Sequence, residues 1–266
     1  MNLFLREMKK NRTSFLIWLI LMILVNAMML TSFGSVAEMA ENTEAMLSQY
    51  PKEFVEAMNL DILKMTNILH FYASRTFLLV TILGSVYAIM LTSNIISKEE
   101  SDKTIEFLIS KPISRVSIIS SKLSCSVVYI TMFNFLFSFA NLILLNVFKT
   151  EDFSIKAFLL ISVGAWLINM IFGLIGLVIS AFSSKTRTNI SLGLGLVFIG
   201  YFLSLMATLI ERLNFLKYLT PFSYYNTEDL VINMKIEIPY LIITLVLSMI
   251  CIAITYYGYT KKDIST

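Results

Sequence analysis

The chain has 266 residues, of which 57% are hydrophobic and 15% charged, and its mean hydropathy is +0.76. Average soluble domains are about half apolar and a quarter charged, so this composition excludes an ordinary soluble core and indicates a polytopic membrane protein. The net charge of +3 is accounted for by topology, and nucleic-acid binding does not follow from it.

The N-terminal segment MNLFLREMKKNRT sets Leu3, Phe4, Leu5 and Met8 among basic residues. An interfacial helix along the inner leaflet is expected, with its basic side chains toward anionic headgroups; the alternative is an unstructured basic flank. The apolar run Phe15 to Phe33 is too long for a signal-peptide core and has no small-residue cleavage site after it, so it is expected to remain as the first span. Runs of about 20 residues, enough for a helix to cross the ~30 Å hydrocarbon layer, place six spans near 15–33, 76–97, 123–148, 155–182, 189–210 and 240–258. Of the 21 Lys and Arg, thirteen fall on one set of connecting segments if the N-terminus is inside, although the other set is longer in total. The positive-inside rule then puts both termini in the cytoplasm.

Between spans one and two, residues 34–75 carry mostly acidic charges and apolar residues at helical spacings. This predicts an outer loop of one or two amphipathic helices broken near Pro51. The segment 211–239, with Pro221, Tyr224, Tyr225 and Pro239, is too rich in apolar and aromatic residues for a solvated loop and is expected to dip back toward the membrane. The fold class is therefore an all-α integral membrane protein, one transmembrane domain over 1–266. Cys125 and Cys251 lie inside apolar runs, which indicates neither a disulfide framework nor a metal site.

The most informative stretch is the charged island 98–122, KEESDKTIEFLISKPISRVSIISSK. A residue before proline avoids the α region, so a helix starting near Glu99 should stop around Ser110 and Lys111, and another should begin after Pro112. In the first, Thr104, Ile105, Leu108 and Ile109 share a side, surrounded by Glu99, Glu100, Asp102, Lys103 and Glu106. An apolar knob with a polar rim suits partner docking; the alternative is a solvated amphipathic elbow. Ser114 is placed to cap the helix that runs through Arg115 and Lys122 into span three.

Spans two, three, five and six hold no Asp, Glu, Lys or Arg well inside them, which argues against a proton relay or ion-coupled carrier. Two polar stripes stand out, Thr81, Ser85 and Thr92 on span two and Thr131, Asn134, Ser138 and Asn141 on span three. They read either as a translocation path or as hydrogen bonds between helices. Catalysis has little to stand on: the only histidine, His70, lies in the outer loop, so no His-based triad or His-rich metal site can be assembled within the chain. No phosphate-binding loop G-x-x-x-x-G-K-[ST] occurs. An intramembrane enzyme, and a scaffold or sensor that recruits a soluble partner without transport, are the rival classes.

The run Glu99 or Glu100, Asp102-Lys-Thr104-Ile-Glu106-Phe-Leu108, Ser110-Lys-Pro112-Ile-Ser114-Arg115 and Lys122 resembles the signature between spans two and three of type-2 ATP-binding-cassette exporter permeases. It departs at Lys103, where glycine is usual, a change that favours the helix and bears on how a nucleotide-binding partner is gripped. Arg6-Glu7 followed by Trp18, and Tyr218-Leu-Thr-Pro221-Phe-Ser-Tyr224 before the last span, are similar to the family as well. The resemblance implies a permease subunit that pairs with a second copy or close relative in a bacterial cell membrane and is not an enzyme by itself. Each copy would rest on a separate ATPase that binds ATP and Mg, while this chain binds no cofactor. It also implies that Glu99, Glu100, Asp102, Thr104, Ile105, Leu108, Pro112, Ser114 and Arg115 form the coupling element, with Glu7 supporting it through the N-terminal helix. The function expected is ATP-driven export of a hydrophobic or amphipathic cargo such as a peptide, lipid-like molecule or drug, by alternating access.

Overall fold

The computed structural model describes residues 3–47, 67–102, 104, 113–225 and 227–262, and among these the regular structure is all helical. Six helices are long and apolar enough to cross a membrane. They are α1 (Leu3–Thr31), α3 (Ile68–Ile95), α5 (Arg115–Phe148), α6 (Ile155–Phe182), α7 (Thr186–Leu209) and α9 (Ile238–Lys261), and the expected spans overlap them. The shorter helices are α2 (Phe33–Leu47), α4 (Lys98–Ser101) and α8 (Thr227–Val231).

The N-terminal segment, expected as an interfacial helix, forms the first part of α1, with no break before the apolar run. The reason lies in phase. Leu3, Glu7, Phe15, Leu19, Met22, Asn26 and Leu30 recur at spacings of three, four or eight residues and form one buried stripe, so the same helix face docks along its length. The opposite face, with Leu16, Ile17, Ile20, Leu24 and Met28, is exposed and suits a lipid environment. After a turn at Ser32 the chain continues directly into α2, where the first outer helix was expected. Pro51, where a break was expected, lies outside the described residues.

α3 and α6 make the centre of the bundle. Their contact is close because two glycines permit it. A Cβ on Gly176 would stand 2.1 Å from Thr92 Oγ1, and one on Gly84 would stand 2.4 Å from Asn169 Nδ2. Small residues that let backbones approach are the usual means of packing helices in lipid, where no hydrophobic drive separates helix from solvent. Around this pair, α1 packs on α5, α7 on α3, and α9 on α6. A π-helical stretch, Tyr72–Thr76, interrupts the first turns of α3.

The segment after α7 folds back into the bundle through 3-10 turns at Glu211–Tyr218 and Pro221–Ser223. Thr220 donates to the carbonyl of Gly200 at 2.7 Å, which lies about 14 Å inside the end of α7 at 1.5 Å per residue. Phe222 packs at a tilt against Phe172 of α6, 5.0 Å between centroids, and the Tyr225 hydroxyl lies 2.7 Å from Thr244 Oγ1 of α9. Thr220, Pro221, Phe222, Tyr224 and Tyr225 are all buried. The aromatic density that ruled out a solvated loop thus goes into packing between α6, α7 and α9.

Candidate functional site

At the end of the bundle that holds the charged island, α3 stops at Ile95 although neither Pro nor Gly is near. The capping is tertiary. The amides of Ile96 and Ser97 both donate to Ser180 Oγ of α6 at 3.0 Å, and the Ile95 carbonyl accepts from Lys122 Nζ of α5. These take up backbone groups that a helix end leaves unpaired. Asn189 of α7 closes the corner by donating to Ser97 Oγ at 3.1 Å.

The chain then forms α4, a single turn that ends at Asp102. The helix expected to run from Glu99 to about Ser110 is therefore not continuous: Thr104 is outside helix, and its amide (2.8 Å) and hydroxyl (3.3 Å) both donate to the Glu99 carbonyl. The rest of that expectation, with Lys103, Ile105, Leu108 and Pro112, lies outside the described residues.

Glu99 and Glu100 do not join Asp102 on an outer rim, as the sequence pattern suggested. Glu99 is 2% exposed, and its carboxylate accepts from Lys122 Nζ. Lys122 is itself 0% exposed. Glu7 of α1, also buried, brings Oε1 to 3.9 Å from the same Nζ, and among the described residues that oxygen has no hydrogen-bond partner. One buried ammonium thus serves a carbonyl and faces two carboxylates from different helices. Charges removed from water are tolerated when paired, and a buried charge left with no partner at all typically costs about 3–5 kcal/mol. Next to this cluster the Tyr129 hydroxyl of α5 donates to the Met8 carbonyl of α1, holding the two helices in register.

A second set of contacts ties the island to the last helix. Ser114 caps α5 by accepting from the Ser117 amide at 3.2 Å, the role its position predicts. Arg115 reaches the C-terminal end of α9 and donates to the carbonyls of Thr260 (3.1 Å) and Lys262 (2.8 Å). A guanidinium there satisfies orphan carbonyls and complements the negative end of the helix dipole. Lys262 in turn pairs with Glu100 Oε2 at 2.7 Å, and the Ser120 hydroxyl lies 2.7 Å from the Tyr256 hydroxyl.

Asp102 and Thr104 are exposed beside this network, as is Ser114. Of the residues singled out in the sequence, the structure therefore brings Glu7 and Glu99 together around Lys122, and Glu100 and Arg115 together at Lys262. Neither lysine had been given a site role. The signal for Lys122 was present: Ile118, Lys122, Cys125, Tyr129, Phe133, Phe137, Asn141 and Leu145 form the buried stripe of α5.

The two polar stripes divide. Ser85 donates to Asn169 Oδ1 at 3.1 Å, Asn169 donates to Asn134 Oδ1 at 2.9 Å, and Asn26 donates to Asn141 Oδ1 at 2.9 Å. This is the geometry of hydrogen bonding between helices. Thr81 and Thr92 donate to carbonyls of their own helix. Thr131 and Ser138 instead line, with Asn134, Phe135, Phe139 and Trp166, an apolar groove of about 330 Å³ between α5 and α6. Trp166 donates to Thr131 Oγ1 at 3.2 Å along it.

A search among curated proteins finds no match. The sequence model of the family described as ABC-2 family transporter protein matches residues 1–264. With that match running over nearly the whole chain and six helices able to cross a membrane, the chain belongs to the ABC-2 family of transporter membrane proteins.

Proposed function

We propose that this chain is the permease subunit of an ATP-driven exporter in a bacterial cell membrane, working with a separate ATPase that docks on segment 98–122 from the cytoplasm. The observation that carries the reading is the double anchoring of that segment. Its start is held to α5 through Glu99 and Lys122, and to the end of α9 through Glu100 and Lys262. Its far side is held to the same end of α9 through Arg115. A push on the segment would thus reach α1, α5 and α9 through short charged contacts rather than be absorbed by a free loop. Asp102 and Thr104 face outward on it, where a partner could meet them.

The permease pairs with a second copy or a close relative, and the two alternate access to a path between them. Spans lean in charge favour a hydrophobic or amphipathic cargo, such as a peptide or lipid-like molecule, over an ion. ATP and Mg are bound by the partner ATPase.

The test is copurification from membranes followed by ATP turnover and vesicle transport. The reading expects an ATPase to accompany the chain, the isolated chain to hydrolyse no ATP, and ATP-dependent movement of candidate peptides or lipids. ATP hydrolysis by the isolated chain at a transporter-like rate would overturn it. A soluble partner without ATPase activity would favour the scaffold.

A further inference from the structure

The buried charge cluster holds more acceptors than its single cation uses. Lys122 Nζ is engaged by the Glu99 carboxylate and the Ile95 carbonyl. Glu7 Oε1, on a different helix, stands 3.9 Å from it and has no hydrogen-bond partner among the described residues. All three side chains are nearly fully buried, at 0% exposure for Lys122 and 2% for each glutamate. A stabilising ion pair alone would need one acid. A buried carboxyl oxygen without a hydrogen bond is costly, and Glu7 offers the ammonium a second place to go.

We propose that Lys122 is a positioning residue shared between Glu99 and Glu7, handed from the first to the second when α4 is displaced from α5. In the arrangement seen here Lys122 fastens α4 to α5 and holds the end of α3. When α4 moves away with Glu99, the ammonium turns to Glu7 and so pulls on the N-terminal part of α1, while its charge stays compensated throughout. The movement needed is small, because Glu7 Oε1 is already within ion-pair distance. The coupling half of this proposal rests on the reading of 98–122 as the ATPase-docking segment; the sharing of Lys122 between two acids does not.

The first arm of the test measures thermal unfolding of the full-length chain in nanodiscs, as wild type, Glu7→Gln, Glu99→Gln, the double variant and the triple variant that adds Lys122→Met. Sharing predicts a small loss for each single change, because the other acid keeps the cation paired. The double change should cost more than the sum of the two, or abolish accumulation, since it strands a buried ammonium. Adding Lys122→Met should restore the folded protein. Additive single effects, or failure of Lys122→Met to rescue, would overturn the sharing.

The second arm uses the wild-type and Glu7→Gln chains with the ATPase that copurifies. Glu7→Gln keeps Lys122 on Glu99 and should retain the ATPase while lowering ATP turnover of the complex several-fold, a split that a merely structural role would not give. Unchanged turnover would overturn the hand-over. If the wild-type chain brings no ATPase with it, the docking reading itself fails and with it the coupling role, while the thermal arm still decides the sharing.

Discussion

Arg115, at the first turn of α5, donates to the carbonyl of Lys262 at 2.8 Å, joining the charged island to the last helix across 147 residues of sequence. The same guanidinium also takes the Thr260 carbonyl, so two unpaired carbonyls at a helix end depend on one side chain. Arg115→Ala should destabilise the permease by about 1–2 kcal/mol, through loss of charge-assisted hydrogen bonds and of a cation at a helix C-terminus. Arg115→Lys should recover only part of this, because a point ammonium does not reproduce the planar fork. Thermal unfolding in detergent measures both, and equal stability of all three proteins would count against the contact.

The close approach of α3 and α6 makes a size-sensitive prediction. Gly176→Ala places a methyl group 2.1 Å from Thr92 Oγ1 and 3.1 Å from the Ser93 amide nitrogen, so the helices must separate. The expected loss is about 1–3 kcal/mol, the usual range for overpacking. Gly195→Ala meets nothing within 4 Å and should be neutral or slightly stabilising through helix propensity. Melting of the two variants side by side checks the pair.

The positive-inside count predicts labelling from each side of the membrane. Cysteines introduced at Glu44 and Asn226 should react with an impermeant thiol reagent on intact cells, and one at Lys103 should not. Of the native cysteines, Cys125 is buried and Cys251 only partly so; the experiment is therefore run with Cys251→Ser. The reverse pattern would invert the topology and place the charged island outside.

Docking and packing should separate cleanly in two variants. Leu108→Asp puts a charge into the apolar knob read from the sequence. A charge left unpaired in such a contact costs several kcal/mol, so the ATPase should be lost while the chain still inserts. Asn134→Leu removes the acceptor of the Asn169 amide. It should retain the ATPase and lower the melting temperature, at a cost of about 1–2 kcal/mol for a hydrogen bond between membrane helices. Pull-down and unfolding on the same preparations distinguish the two outcomes. Full retention of the ATPase by Leu108→Asp would move the search to Ser183–Thr188.

The sequence by itself determined the six long apolar helices, the cap at Ser114 and the apolar, aromatic character of the segment before the last helix. Each follows from a local property: hydropathy summed over about 20 residues, a hydroxyl at a helix start, or aromatic density. Periodicity even placed Glu7 in phase with Phe15 and Asn26, and Lys122 in phase with Tyr129 and Asn141, which marks both as facing the bundle. Only the tertiary structure decided that these two meet Glu99 at one point, that Glu99 turns inward, and that α4 closes after one turn. It likewise decided that Asn134 is spent on Asn169, whereas Thr131 and Ser138 line a groove. The physical reason is that burial of a stripe is written in spacing along one helix. Which buried charge finds which partner depends on the register between helices far apart in the chain, and that register is set by close contacts such as Gly176 against Thr92 and Tyr129 against Met8.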